Sequence, residues 1–290
     1  MGVSINMAIL LIVFSTFIHQ LESVFIKKYN SKHKQGGFIF TGLISLFAMV
    51  FFVITDKNGL SFPSEMLPYA IISGIFYCDA SFLTYVALGC GSYVMTNLIL
   101  SYSLIFPVTY GIVLLKEPAS FWTYIGFAIM IISLYLVRGA KEESGNRFSP
   151  KWLISILLSA VGSGMFSVIM RVQQIRFDNS CTNEFMIATL GFSAVVLLLA
   201  GIIRDGKNPV YILKNGSLYA IGAGLSNGAT NMLSLVVNML IPISIASPVK
   251  TGIKIVLSFI LSKLIFKEKF LKRQIVGVIL GALALVFLNI

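Results

Sequence analysis

Leu115-Lys116-Glu117-Pro118-Ala119-Ser120-Phe121-Trp122-Thr123-Tyr124-Ile125-Gly126 leads into an apolar run that ends near Arg138. The plan returns 151 positions later: Phe266-Lys267-Glu268, then Val276-Gly277, then a run without a polar side chain as far as Leu288. A second echo has nearly the same offset, since Tyr69-Ala70 and Gly74 recur 150 positions on as Tyr219-Ala220 and Gly224. Self-similarity at a fixed period marks an internal repeat, here with a period of about half the chain. The longest polar stretch, 140–150, lies between the two copies, so the sequence divides into a first half (1–139), a linker (140–150) and a second half (151–290).

Hydrophobic residues make up 57% of the 290, charged residues 11%, and the mean hydropathy is +0.90. A soluble domain carries roughly 25% charged residues, and a water-facing fold has no means of hiding so much apolar surface. Ten apolar segments run near 6–27, 37–55, 67–88, 92–115, 119–138, 151–172, 184–203, 215–238, 243–265 and 272–289. Each approaches the ~20 residues with which a helix crosses a hydrocarbon core. Helices follow because a segment in lipid must satisfy its own backbone hydrogen bonds, and these runs are too long for the ~10-residue alternating strands of a barrel. The first segment lacks a basic leader and a small-residue cleavage site, so it reads as a retained span. The expected fold is all-α and integral to the membrane, with ten transmembrane helices. Five helices per half is an odd number, so the second copy enters the bilayer upside down, giving two inverted five-helix repeats.

Two five-helix repeats in about this length, each with a Lys-Glu pair after the fourth span and a Gly-containing apolar fifth span, resemble the drug/metabolite transporter superfamily, in particular its EamA-type ten-helix members. The resemblance covers nearly the whole chain. It implies a secondary transporter of small metabolites whose central cavity is lined mainly by the first, third, fourth, sixth, eighth and ninth helices, with the fifth and tenth at the periphery. In the first span that family usually carries a Trp and an Asn, where this sequence has Phe14, His19, Gln20 and Glu22.

Polar residues mark the same helices independently. The eighth span carries Asn227, Asn231, Ser234 and Asn238, and the ninth carries Ser247, Thr251, Lys254 and Ser258. Both sets follow i, i+4, i+7, i+11 spacing, which is one face of a helix. Such a face in a membrane meets a wet cavity or neighbouring helices. Glu22, Asp79, Lys250 and Lys254 lie inside apolar spans, with His19 beside them, and each charge near the bilayer centre costs about 2.5–3.5 kcal/mol unless it is paired or hydrated. Either the two acids are permanent partners of the two lysines, or the lysines hold an anionic group of a substrate while an acid takes a proton. In the second case Lys250, Lys254, Thr251, Asn97, Asn227 and Asn231 bind substrate, and Glu22, Asp79 and His19 are the proton-coupling candidates. Ser247-Pro248 is expected to interrupt or kink the ninth span next to Lys250, because proline lacks a backbone donor. Glu22 lies close enough to Lys27 to be read alternatively as an interfacial carboxylate.

Other readings lose on chemistry. Gly224-Leu225-Ser226-Asn227-Gly228 fits GxSxG, but a nucleophile elbow needs a strand-to-helix turn, so Gly224 and Gly228 read as small residues at a close helix contact. Cys78, Cys90 and Cys181 have neither CxxC nor metal-ligand spacing and read as packing residues. HExxH, Walker A and Rossmann fingerprints do not occur in the sequence, so no cofactor, metal, nucleotide hydrolysis or other enzymatic activity is expected. The net charge of +11 comes from Lys and Arg in short runs between apolar stretches, a pattern of membrane anchoring and not of nucleic-acid binding. Gly277 and Gly281 form a GxxxG that serves either a homodimer through the tenth span or packing within one chain.

The expectation is thus a multi-pass cell-membrane protein of the bacterial inner-membrane kind, moving a small anionic or zwitterionic metabolite by alternating access, driven by protons or exchange. Alternatives are an exporter of lipophilic cations that uses Glu22, and a flippase or non-transporting membrane subunit. Assigning loops alternately to two sides gives 16 Lys and Arg on one side and 4 on the other. The positive-inside rule then puts both termini outside, whereas the family resemblance implies cytoplasmic termini.

Overall fold

The computed structural model describes residues 2–33, 36–56, 59–117, 120–138, 149–205, 209–267 and 272–288. Glu268 and most of the stretch 140–150 lie outside them. The described residues form α-helices and short 3-10 and π turns. In chain order these are α1 (Gly2–His33), α2 (Gly37–Thr55), α3 (Leu67–Cys90), α4 (Tyr93–Leu100), α5 (Ile105–Thr109), α6 (Phe121–Arg138), α7 (Pro150–Arg176), α8 (Thr182–Arg204), α9 (Pro209–Leu240), α10 (Ile243–Leu261) and α11 (Lys272–Leu288). Among the described residues six segments are long and apolar enough to cross a membrane: Asn6–His33, Gly37–Thr55, Ser64–Cys90, Tyr93–Leu114, Pro150–Arg176 and Thr182–Arg204. The helices with polar stripes, α9 and α10, are not among the six. Large apolar side chains such as Ile203 (80% exposed) and Leu218 (76%) face outward from the bundle, where only lipid makes them affordable. The chain is a multi-pass membrane protein.

Packing runs chiefly between helices before residue 139 and helices after 149. The broadest contacts join α6 to α11, α3 to α7, α2 to α8 and α1 to α9, with α2 also on α9 and α3 also on α8. Helices α2 and α8 are antiparallel and latched at both ends. Asn183, at the start of α8, donates to Asp56 Oδ1 at the end of α2 (3.0 Å), and Ile39 N, at the start of α2, donates to Asp205 Oδ2 at the end of α8 (2.8 Å). Burial pushes the Asp205 carboxyl above its ordinary value, partly offset by the Ile39 and Phe38 amides that it accepts.

Glycine sets the distance of closest approach at two related places. A Cβ on Gly74 would lie 2.6 Å from Phe192 Cδ1 and 3.2 Å from Thr189 O of α8, and one on Gly224 would lie 2.6 Å from Phe47 Cβ and 2.7 Å from Ile44 O of α2. Glycines 277 and 281 serve packing within the chain. Ser133 of α6 donates to Gly277 O (2.5 Å), and its Oγ is 2.9 Å from where a Gly281 Cβ would stand.

The interruption expected at Ser247-Pro248 does not occur. Helix α10 runs unbroken through Pro248. The proline falls in its second turn, and the first turn is anchored where Ser244 N donates to Glu117 Oε2 (2.9 Å). Irregular backbone lies instead in the fourth apolar segment, where α4 gives way to a 3-10 turn (Ser101–Leu104), then α5 with Pro107, then a π turn (Tyr110–Leu114). A second π turn, Ser262–Phe266, follows α10. Lys116 and Lys267, the residues 151 apart in the repeated motif, close these segments with left-handed φ of 51° and 52°.

Candidate functional site

At the middle of the bundle lies a cavity of about 210 Å³. It is lined from α1 (His19, Glu22, Ser23), α2 (Thr41), α3 (Tyr77, Ser81, Thr84), the 3-10 turn and α5 (Ser101, Ser103, Pro107), α7 (Ser163, Ser167), α9 (Asn227, Thr230, Asn231) and α10 (Ser247, Lys250, Thr251, Lys254). Neither α6 nor α11 reaches it, as expected of the fifth and tenth spans.

The polar wall is a connected network. Asn227 Nδ2 donates to Glu22 Oε1 (3.0 Å), and Asn227 Oδ1 accepts from both Tyr77 Oη (2.9 Å) and Asn231 Nδ2 (2.9 Å). His19 Nδ1 lies 3.3 Å from Glu22 Oε2. The stripe spacing on α9 produces this: residues four apart lie one turn apart on the same face, so one amide orders the next. Glu22 is 8% exposed, so it belongs to the interior and not to the interface with Lys27.

Lysines 250 and 254 stand on the facing wall. Lys250 Nζ donates to Ser234 Oγ (2.7 Å). Among the described residues the Lys254 ammonium has no hydrogen-bond or ion-pair partner, and neither lysine lies within 4.0 Å of a carboxylate. The reading in which Glu22 and Asp79 are permanent ion-pair partners of the lysines therefore does not describe this arrangement. The acid of the cavity is engaged by His19 and Asn227, Lys250 by the Ser234 hydroxyl, and the Lys254 ammonium faces the cavity.

Of the residues selected from sequence, Lys250, Lys254, Thr251, Asn227, Asn231, Glu22 and His19 come together here. Asp79 and Asn97 do not. Asp79 sits at the contact of α3 with α7, where its Oδ2 lies 2.8 Å from the place a Gly162 Cβ would occupy. Asn97 is buried in α4, and its Nδ2 donates to Tyr93 O of its own helix (3.1 Å). Tyr77 joins the site without having been selected. It stands 150 positions before Asn227, the offset of the Tyr69 and Gly74 repeats, and that spacing is the one signal that could have found it.

A buried cavity walled by hydroxyls, amides and two ammonium groups inside a lipid-facing bundle belongs to a membrane transporter or a relative of one. Residues 150–290 match the model of the EamA-like transporter family, which supports membership of the drug/metabolite transporter superfamily. No curated protein matches the sequence. A solved structure, titled only as the crystal structure of a protein, is similar over 97% of this chain and 96% of its own, with a TM-score of 0.68 and 16% identity. At that identity the likeness concerns the fold alone.

Proposed function

We propose that the protein is a secondary active transporter that moves a small anionic or zwitterionic metabolite by alternating access between two inverted five-helix halves, 1–139 and 151–290, with ten membrane crossings. The observation that carries the substrate class is the Lys254 ammonium. It faces the cavity with no carboxylate within 4.0 Å among the described residues, although a buried charge is costly unless it is paired or hydrated. An anionic group of the substrate supplies the missing charge, Lys250 and Thr251 flank it, and Asn227 and Asn231 offer amides along the opposite wall. Glu22 with His19 is the coupling pair, because it is the acid within the cavity; Asp79 loses that role by its position.

The inverted arrangement draws support from the antiparallel α2 and α8 latched at both ends, from Lys116 and Lys267 with the same backbone geometry, and from Gly74 and Gly224 packing in the same way on opposite halves. The size of the cavity favours a small metabolite, since pockets that bury drug-sized ligands run to about 300–1,000 Å³. Two lysines in the same chamber disfavour a lipophilic cation. A polar chamber between the halves disfavours a subunit that transports nothing.

Lys254→Met should abolish anion uptake or efflux in proteoliposomes while leaving the folded protein monodisperse. Undiminished transport by that variant removes the substrate role of Lys254.

A further inference from the structure

A second compartment of about 90 Å³ adjoins the central cavity and extends beyond the proposed substrate site. The two share Ser167, Asn231, Ser247 and Lys250, and the smaller one continues past Lys250 to Asn238 and Ile243, which flank the turn between α9 and α10. It is where the lower half of the α9 stripe leads. Its polar lining consists of hydroxyls and amides, and among the described residues Lys250 is the one ionisable side chain on its wall. Just beyond it, Arg171 Nη1 donates to Asn238 O (2.8 Å), while the buried Arg171 Nε has no hydrogen-bond partner. Of the carboxylates at this end of the bundle, Glu117 is engaged by the Ser244 amide, Asp56 by Asn183 and Glu184 by the Ser61 amide, and none of them lines the compartment.

Toward the opposite end of the cavity, polar side chains tie α1 to α4 and α10. Gln20 Nε2 donates to Ser258 Oγ (2.8 Å), Tyr93 Oη donates to Gln20 Oε1, and Gln20 is fully buried. Further along α1, Lys27 Nζ donates to Gly91 O (3.2 Å) and lies 5.0 Å from the centre of the Phe266 ring.

We propose that the second compartment is an anion route from the membrane face at the α9–α10 turn into the central cavity, with Arg171, Lys250 and Lys254 as successive positive steps. The proposal rests on the reading of the central cavity as an anion site and adds its direction of access and a second, weaker subsite at Lys250. Low-dielectric walls with charge of one sign focus the field, so an anion is drawn inward and a cation of equal size is repelled. Ser234 holds the Lys250 ammonium toward the route, and a passing anion exchanges one hydrogen-bond acceptor for another.

The route is testable without knowing the substrate. Ser247→Cys places a thiol where the two compartments meet, and mass spectrometry separates its labelling from that of Cys78, Cys90 and Cys181. The anionic reagent 2-sulfonatoethyl methanethiosulfonate should label it about tenfold faster than the 2-trimethylammonioethyl analogue, the size of effect that a focused field produces. Lys250→Gln should bring the ratio toward one. Added salt should do the same in the Ser247→Cys protein itself, which keeps the test decisive if Lys250→Gln does not fold. A ratio at or below one, or a thiol that reacts only after unfolding, overturns the route. If the ratio holds while Lys254→Met transports normally, the substrate role of Lys254 falls and the route stands. Lost transport with a ratio of one leaves Lys254 its role and removes the route.

Discussion

Asn227 joins three polar groups that otherwise have no reason to meet: the Glu22 carboxylate, the Tyr77 hydroxyl and the Asn231 amide. Asn227→Leu keeps the volume and orphans these partners, at about 1–3 kcal/mol per buried group left unsatisfied. The expected result is a drop of several degrees in thermal unfolding of the detergent-solubilised protein, larger than for Ser226→Ala one residue away; equal midpoints would show that the network carries no stability. The sequence announces Asn227, because four polar residues at helical spacing on an apolar span have few explanations. It places Asp79 at the right depth but gives no bearing around the helix, and the missing side chain of Gly162 is what lets that carboxylate turn toward α7. Asn97 bonds to its own helix, a local option that depends on rotamer and not on spacing. Tyr77 counts as apolar in a hydropathy reading, which hides its hydroxyl.

Helices α8 and α9, packed on α2, illustrate how a glycine in an apolar span reads as contact distance. Gly224→Ala pushes a Cβ to 2.7 Å from the Ile44 carbonyl, and backbone cannot swing aside as a side chain can. A loss of about 1–3 kcal/mol follows from overpacking. Gly191→Ala meets only the flexible Met49 sulfur, at 3.2 Å, and should cost less. Equal losses in the two variants, measured by thermal unfolding, would mean that backbone and side-chain neighbours yield alike. Proline is a poorer guide. Both Pro107 and Pro248 lack a donor, but Pro248 follows a turn held by Glu117, whereas Pro107 adjoins a 3-10 turn that lines the cavity. The bond that anchors the start of α10 comes from a residue 127 positions away, which no local pattern encodes.

For the molecule as a whole, the helical class, the membrane setting and the peripheral place of α6 and α11 are all legible from hydropathy and polar content. Orientation is a separate matter of charge. On the proposed topology of ten crossings, 16 Lys and Arg fall on one side against 4 on the other, and the positive-inside rule predicts exterior termini. A C-terminal alkaline phosphatase fusion should then be active and a C-terminal green fluorescent protein fusion dark, and the reverse result overturns the charge argument. Were the proposed route correct as well, its mouth, on the side with fewer cations, would open outside the cell in this conformation.

The preference of helices for partners across the middle of the chain has a consequence for biogenesis. Helix α2 has its amide bonded by Asp205, Glu117 has its amide in Ser244, and α1 and α3 find their main neighbours in α9 and α7. During synthesis, which proceeds at about 5–20 residues per second, α1 to α6 therefore wait in the membrane for several seconds before most of their contacts exist. Sequence similarity divides this protein at the linker, but neither half carries a core of its own. The unit of folding is the whole chain, and a ribosome that stops at the linker releases an insertion product, not a domain.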